Sequence, residues 1–431
     1  MCLHCRPRRA KHSFDTMSPS DTTATAPSAL AASRMAEAIR LEAARVCAEQ
    51  YGVQLRSVVV TGSLARDEAT FVGGSTGRRL LGDAEFLLIF SDVHPLPSEA
   101  DMTELSRRIE ARLLAEHRLT GRIELSAGKA AYLTQLKPHI FALELRECGR
   151  VIWGDSAVLS LIPAFDAAAI PLEDAWRLLA NRIVEHLALA TEMVAGQPGA
   201  SLNARYRTVK LYLDMATSLL LFSGRYSATY RSRCEKLRVL VEEKGADEVW
   251  PFSLRTFADR VARSTELKLG WDLFAEPAAD VMDWREAVSC AHRLWRWELA
   301  RLGHSDPTVD DHALMMRWMR RQPLAARARG WLYVARRTGW WQGWPHWFRW
   351  VRYGWRGSPR YWVYANASDL LFRLPGLLNS TASRTVPASR DPSRTLPVPN
   401  AGQRDETAPP WMRLASDILW NYDQFLTGTR S

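Results

Sequence analysis

The chain has 431 residues, enough for two or three domains with buried cores, and is 47% hydrophobic and 24% charged. Those proportions exclude a collagen-like or largely disordered protein, and no apolar run approaches the about 20 residues that a bilayer span requires. The net charge of +10 has one location: eleven arginines and no Asp or Glu lie between Asp311 and Asp369, so the remainder of the chain is close to neutral.

In chain order, residues 1–28 are rich in Ser, Thr, Ala and Pro and read as a disordered tail. The Cys2, His4 and Cys5 cluster lies in that tail with no second Cys or His pair at finger-like spacing, and the other cysteines are scattered. Reduced thiols and a cytoplasmic location are the expectation. Helical spacing predicts a helix from Leu30 to Tyr51, stopped by Gly52. Val58, Val59 and Val60 then predict a buried strand, followed by a Gly-Ser turn and a second strand over Asp83–Phe90. A helix near Glu99–Glu116, a strand at Gly121–Ser126 and extended segments at His139–Arg146 and Val151–Trp153 complete an α+β unit spanning 29–165.

After Pro171 the pattern changes to long amphipathic helices, near 171–194, 202–222, 227–244 and 281–303, which predicts a helical bundle over 171–305. A basic Trp/Arg-rich helical segment follows at 306–374. The Pro/Ser/Thr-rich stretch 375–410 reads as a disordered linker and 411–427 as a last amphipathic helix.

The chemistry begins at Gly62-Ser63. Glycine lets a backbone approach an oxyanion closely, a serine hydroxyl donates to it, and a following helix would present free N–H groups. On the next strand Asp83 and Glu85 alternate onto one face, where two carboxylates repel each other unless a cation lies between them. Hard oxygen ligands suit Mg²⁺ or Mn²⁺, which bind substrate phosphates. Glu124, between Ile123 and Leu125, is a candidate general base; taken alone it reads sooner as a solvated edge-strand acid.

Together these residues resemble the nucleotidyltransferase superfamily, the DNA polymerase beta-like fold that includes the minimal and kanamycin nucleotidyltransferases. The matching positions are Gly62 and Ser63 in the turn, Ala65, Arg66 and Glu68 after it, Asp83 and Glu85 as the metal pair, and Glu124 as the third acid. Leu145 to Asp155 resembles the family's closing strand. The likeness covers about residues 30–165, with a weaker one over 171–245. It implies a mixed sheet with flanking helices followed by a mainly helical domain, with Asp83, Glu85 and Glu124 as metal ligands and catalytic acids. It implies NTP as substrate, Ser63 and Arg66 on its β- and γ-phosphates, and transfer of a nucleoside monophosphate to a hydroxyl acceptor with release of pyrophosphate. A catalytically silent, nucleotide-binding or scaffolding relative is the alternative.

Two departures stand out. Asp67 occupies a position where the family has glycine, and the gap between Ser63 and Asp83 is longer than usual. The extra residues 71–79 read as a flexible basic loop, either closing on a triphosphate through Arg78 and Arg79 or a neutral insertion. Asp67 would weaken phosphate binding unless paired with Arg66.

In the bundle, Tyr206, Lys210, Asp214 and Thr217 fall near one helical face, with Lys210 the candidate nucleotide contact and a solvated face the plain alternative. The tryptophans from Trp331 to Trp362, interleaved with arginines, admit three readings. These are peripheral contact with an anionic surface through residues 331–362, base stacking, and ordinary core.

Overall fold

Strand β1 (Leu55–Val60) is short and β-branched, and it lies inside a five-stranded mixed sheet because its two neighbours bracket it from both sides. The computed structural model describes residues 29–74, 77–196, 200–243, 249–270, 283–338, 346–379, 396–398 and 407–426. The predicted tail and the Cys2/Cys5 cluster lie outside them. The chain is α+β: the sheet half comes first and the helical half second.

The central strand is β3 (Gly77–Phe90), longer than the alternation of its second half predicted. Its first residues pair antiparallel with β2 (Thr70–Gly74), its last with β1, and along its other edge it pairs in parallel with β4 (Leu119–Lys129). β5 (Arg150–Gly154) closes the far side against β1. Gly82, at φ +90°, marks the break between the two halves of β3, where its register with β4 also shifts. The segment expected as a flexible basic loop instead contributes two antiparallel strands, because it is buried on both faces: Phe71 and Leu80 join the sheet core, and Val72 and Leu81 pack against the helical half.

Even-numbered residues of β3 (Ala84, Phe86, Leu88, Phe90) join Val58 and Val60 in a core under α1 (Ala29–Tyr51) and the capped helix α3 (Glu99–His117). Short α2 (Gly62–Ala65) follows the Gly-Ser turn and short α4 (Ala130–Leu133) follows β4. On the other face Leu87 and Ile89 join Val59 beneath α4 and α5 (Ile140–Cys148). The expectation of an extended segment at His139–Arg146 is therefore corrected to a helix. The His139 ring nitrogen caps it by accepting from the Ala142 N–H at 3.0 Å, and Ala142 and Leu145 face the sheet with near-helical spacing.

The helical half comprises α6 (Leu172–Val194), α7 (Ala200–Phe222), α8 (Tyr230–Glu243), α9 (Leu254–Gly270), α10 (Trp284–Gly303), α11 (Asp311–Arg321), α12 (Leu324–Thr338), α13 (Trp347–Gly354), α14 (Pro359–Asn379) and α15 (Pro410–Leu426). One apolar core runs through them from Trp176 to Ile418, so the basic segment and the last helix share the bundle's interior. α14 continues past residue 375 with Pro375 inside it, and Leu396 is buried against the basic segment. Among the described residues no helix is long and apolar enough to cross a membrane.

Candidate functional site

The parallel pairing of β3 with β4 sets Glu85 opposite Glu124 and Asp83 opposite Arg122. In-register residues of neighbouring strands share a face, so the three sequence-predicted acids lie on one side of the sheet. The same face turns apolar two residues further along β3, at Leu87 and Ile89. The acids therefore occupy the polar end of a face whose other end is core.

Glu85 is the most constrained of the three. Its carboxyl is pushed up to about 7, first by burial and then by the like charges of Glu124 and Asp83, while Lys210 and Arg66 oppose the rise. Thr61 donates its hydroxyl to Glu85 Oε2 at 3.4 Å, and the Thr61 N–H donates to the Glu85 carbonyl at 2.9 Å. Next in sequence, Gly62 adopts φ +63°, and a Cβ there would stand 2.6 Å from Glu85 Oε2. A left-handed turn pressed this closely on a carboxylate favours glycine. Gly62 and half-buried Ser63 are thereby set beside the acid cluster. Asp83 lies 3.6 Å from the Arg122 guanidinium, a contact predictable from the two-residue spacing of Arg122 and Glu124 but not drawn from the sequence.

Arg66 is placed differently from the phosphate role that resemblance implies. Its side chain is 6% exposed, donating to Glu68 at 2.9 Å and to Glu144 at 2.7 Å. Glu144 also accepts from the Tyr226 hydroxyl at 2.5 Å and pairs with Arg233, and Glu68 accepts from the Tyr230 N–H at 2.7 Å. These guanidinium groups hold Glu144 below the ordinary carboxylate range despite its burial. The network ties the Gly-Ser turn to α5 and to the start of α8.

Asp67 stands at φ +55°, the left-handed conformation that a glycine would adopt freely. Its carboxylate pairs with Arg40 of α1 and Arg150 of β5, not with Arg66. The charge is spent on a clamp across the sheet half.

From the bundle, Tyr206 donates its hydroxyl to the Leu81 carbonyl at 3.0 Å, and Lys210 Nζ lies 5.9 Å from the Tyr206 ring. Asp214 is buried in an ion pair with Arg182, and the Thr217 hydroxyl receives Arg233. Lys210 is thus the charged member of that face near the acids. Lys268 of α9 was not legible, since that helix was left unassigned from sequence. It is buried at the junction of the halves, donates to the Thr70 hydroxyl at 2.6 Å, and is pushed down to about 7 by burial, with Lys210 the next cause.

One further acidic group, Glu42, Glu116 and His117, gathers between α1 and α3, already balanced by Arg45 and Arg112. Of the tryptophans in the basic segment, Trp331, Trp350 and Trp362 are buried, while Trp355 is exposed. Trp340, Trp341 and Trp344 lie outside the described residues. At the level of sequence the chain matches no protein-family model and no curated protein.

Proposed function

We propose that the chain is a metal-dependent nucleotidyltransferase, moving a nucleoside monophosphate from an NTP to a hydroxyl acceptor with release of pyrophosphate. The observation that supports this reading most is the single cluster of Asp83, Glu85 and Glu124, in register across two strands and pressed against the left-handed Gly62 turn. Three clustered carboxylates, of which Glu85 is raised by burial and then by the charges of Glu124 and Asp83, form an all-oxygen donor set that fits Mg²⁺ or Mn²⁺. When bound, such an ion neutralises the triphosphate and acidifies the acceptor hydroxyl.

The chain's own residues do the rest. Asp83, Glu85 and Glu124 hold the ion, and Glu124 is the candidate to take the acceptor's proton. The Gly62 backbone and the Ser63 hydroxyl receive phosphate oxygens, and Lys210 adds positive charge from the bundle side. The acceptor oxygen bonds to the α-phosphorus as the bond to the pyrophosphate leaving group breaks. Arg66 holds the turn in place and stays off the phosphates.

The test is pyrophosphate release from each NTP with Mg²⁺ or Mn²⁺, in the presence of small-molecule, RNA and protein acceptor pools, with Asp83→Asn as the blank. Release that disappears in Asp83→Asn supports transfer. NTP binding without release in any pool would favour a silent nucleotide-binding relative.

A further inference from the structure

We propose that the outer face of α13, within the arginine-rich segment that contains it, is a docking surface for an anionic lipid bilayer. This stands apart from the acid cluster and does not depend on it.

The inner side of α13 is fixed by Trp350, which packs on Trp331 with ring centroids 6.3 Å apart and donates its indole N–H to the Pro397 carbonyl at 2.7 Å. The outer side is bare: Phe348 is 89% exposed, Val351 63%, and Trp355, just past the last turn, 70%. Offsets of three and seven residues put these three side chains on one helical stripe, and exposed Arg352 falls within it. Such a stripe leaves large apolar groups in water on a helix that is otherwise anchored.

Charge complements the stripe. Arg317, Arg320 and Arg321 of α11 and Arg329, Arg336 and Arg337 of α12 are exposed, as is Leu332 between Arg329 and Arg336. The sequence from residue 312 to 368 holds no Asp or Glu. Basic side chains near an anionic leaflet contribute about 1 kcal/mol each, while Trp and Phe settle at the headgroup boundary. A single-stranded nucleic acid is the poorer fit, because Val351 and Leu332 offer no ring to stack and the outer surface of a helix is convex, not a groove. With eight residues α13 is too short to cross a bilayer, so it lies along the surface.

The experiment is co-sedimentation of the full chain with vesicles of phosphatidylcholine alone or mixed with phosphatidylglycerol, beside the variant Phe348→Ser/Trp355→Ser. Binding to the mixed vesicles alone is expected, weakened at least roughly tenfold in the double variant from the lost apolar contact. Unchanged melting and near-UV circular dichroism would show that the variant is folded; should it melt early, Arg352→Glu, which alters only the exposed charge, replaces it and must also weaken binding. Equal binding of folded variant and parent overturns the proposal. So does RNA binding without lipid binding, or a self-association lost in the variant, which would assign the face to a second copy.

Discussion

The phenolic hydroxyl of Tyr206 donates to the backbone carbonyl of Leu81, and its oxygen occupies the space, 2.7 Å away, into which a Cβ on Gly82 would point. A helix of the bundle thereby fixes the backbone immediately before Asp83. Tyr206→Phe is expected to lower unfolding free energy by about 1 kcal/mol, the usual worth of one such bond, read from urea denaturation. Turnover should fall further than that loss explains, because the Asp83 backbone is no longer held; an unchanged rate would separate the bond from the site.

Removing the cation should reverse an order of stability. Without divalent ions, Glu85→Gln removes a buried charge and its repulsion from Glu124 and Asp83, and should melt no earlier than the parent at pH 8. With Mg²⁺ the parent should gain, by about 2.7 kcal/mol at a hundred times the dissociation constant, and the variant should gain little. Differential scanning fluorimetry with and without EDTA reads both, and equal gains in parent and variant would remove Glu85 from the donor set.

Arg66 lends itself to a separation of roles. Replacing it by Ala leaves Glu68 and Glu144 buried with fewer partners, so a loss of about 3–5 kcal/mol is expected. A phosphate ligand would instead raise KM for the NTP with little change in stability. Chemical denaturation beside steady-state kinetics of Arg66→Lys, which keeps the charge, distinguishes the two.

The bundle has a pH-dependent element of its own. Glu298 is fully buried, accepts from Ser218, and is pushed up to about 8 from its ordinary 4.5 by burial. The folded state thus keeps a proton that the unfolded state has lost, so the stability from this group is full below about 4.5 and disappears as pH rises through about 8. Glu298→Gln should flatten that decline and melt later than the parent at pH 9. A melting profile with the same slope in both proteins would discount Glu298 as its source.

The acid cluster was legible in the sequence because strand alternation alone puts Asp83 and Glu85 on one face and only the β3–β4 register remained to be known. The Gly-Ser turn was legible too, though not its reason, since the contact of Gly62 with Glu85 depends on two strands meeting. Helix α5 was misread because Ile140 to Leu145 is a short apolar run, whose periodicity does not separate strand from helix. The 71–79 hairpin was hidden by its glycines, which look like loop until Val72 and Leu81 are seen against the bundle. The buried network of Arg66 was not read because two of its members, Glu144 and, through it, Arg233, are far away in the chain.

The β2–β3 hairpin settles how the chain can be cut. β2 pairs with β3 alone, and the outer apolar residues of the hairpin, Val72 and Leu81, are covered by Val209, Leu213, Tyr230 and Leu267 of the helical half. A fragment ending near residue 165 would leave an unprotected edge strand with a bare apolar side, a template for pairing with other chains. The sheet half is continuous in sequence without being separable, and its expression alone should give more aggregate than expression of the whole chain.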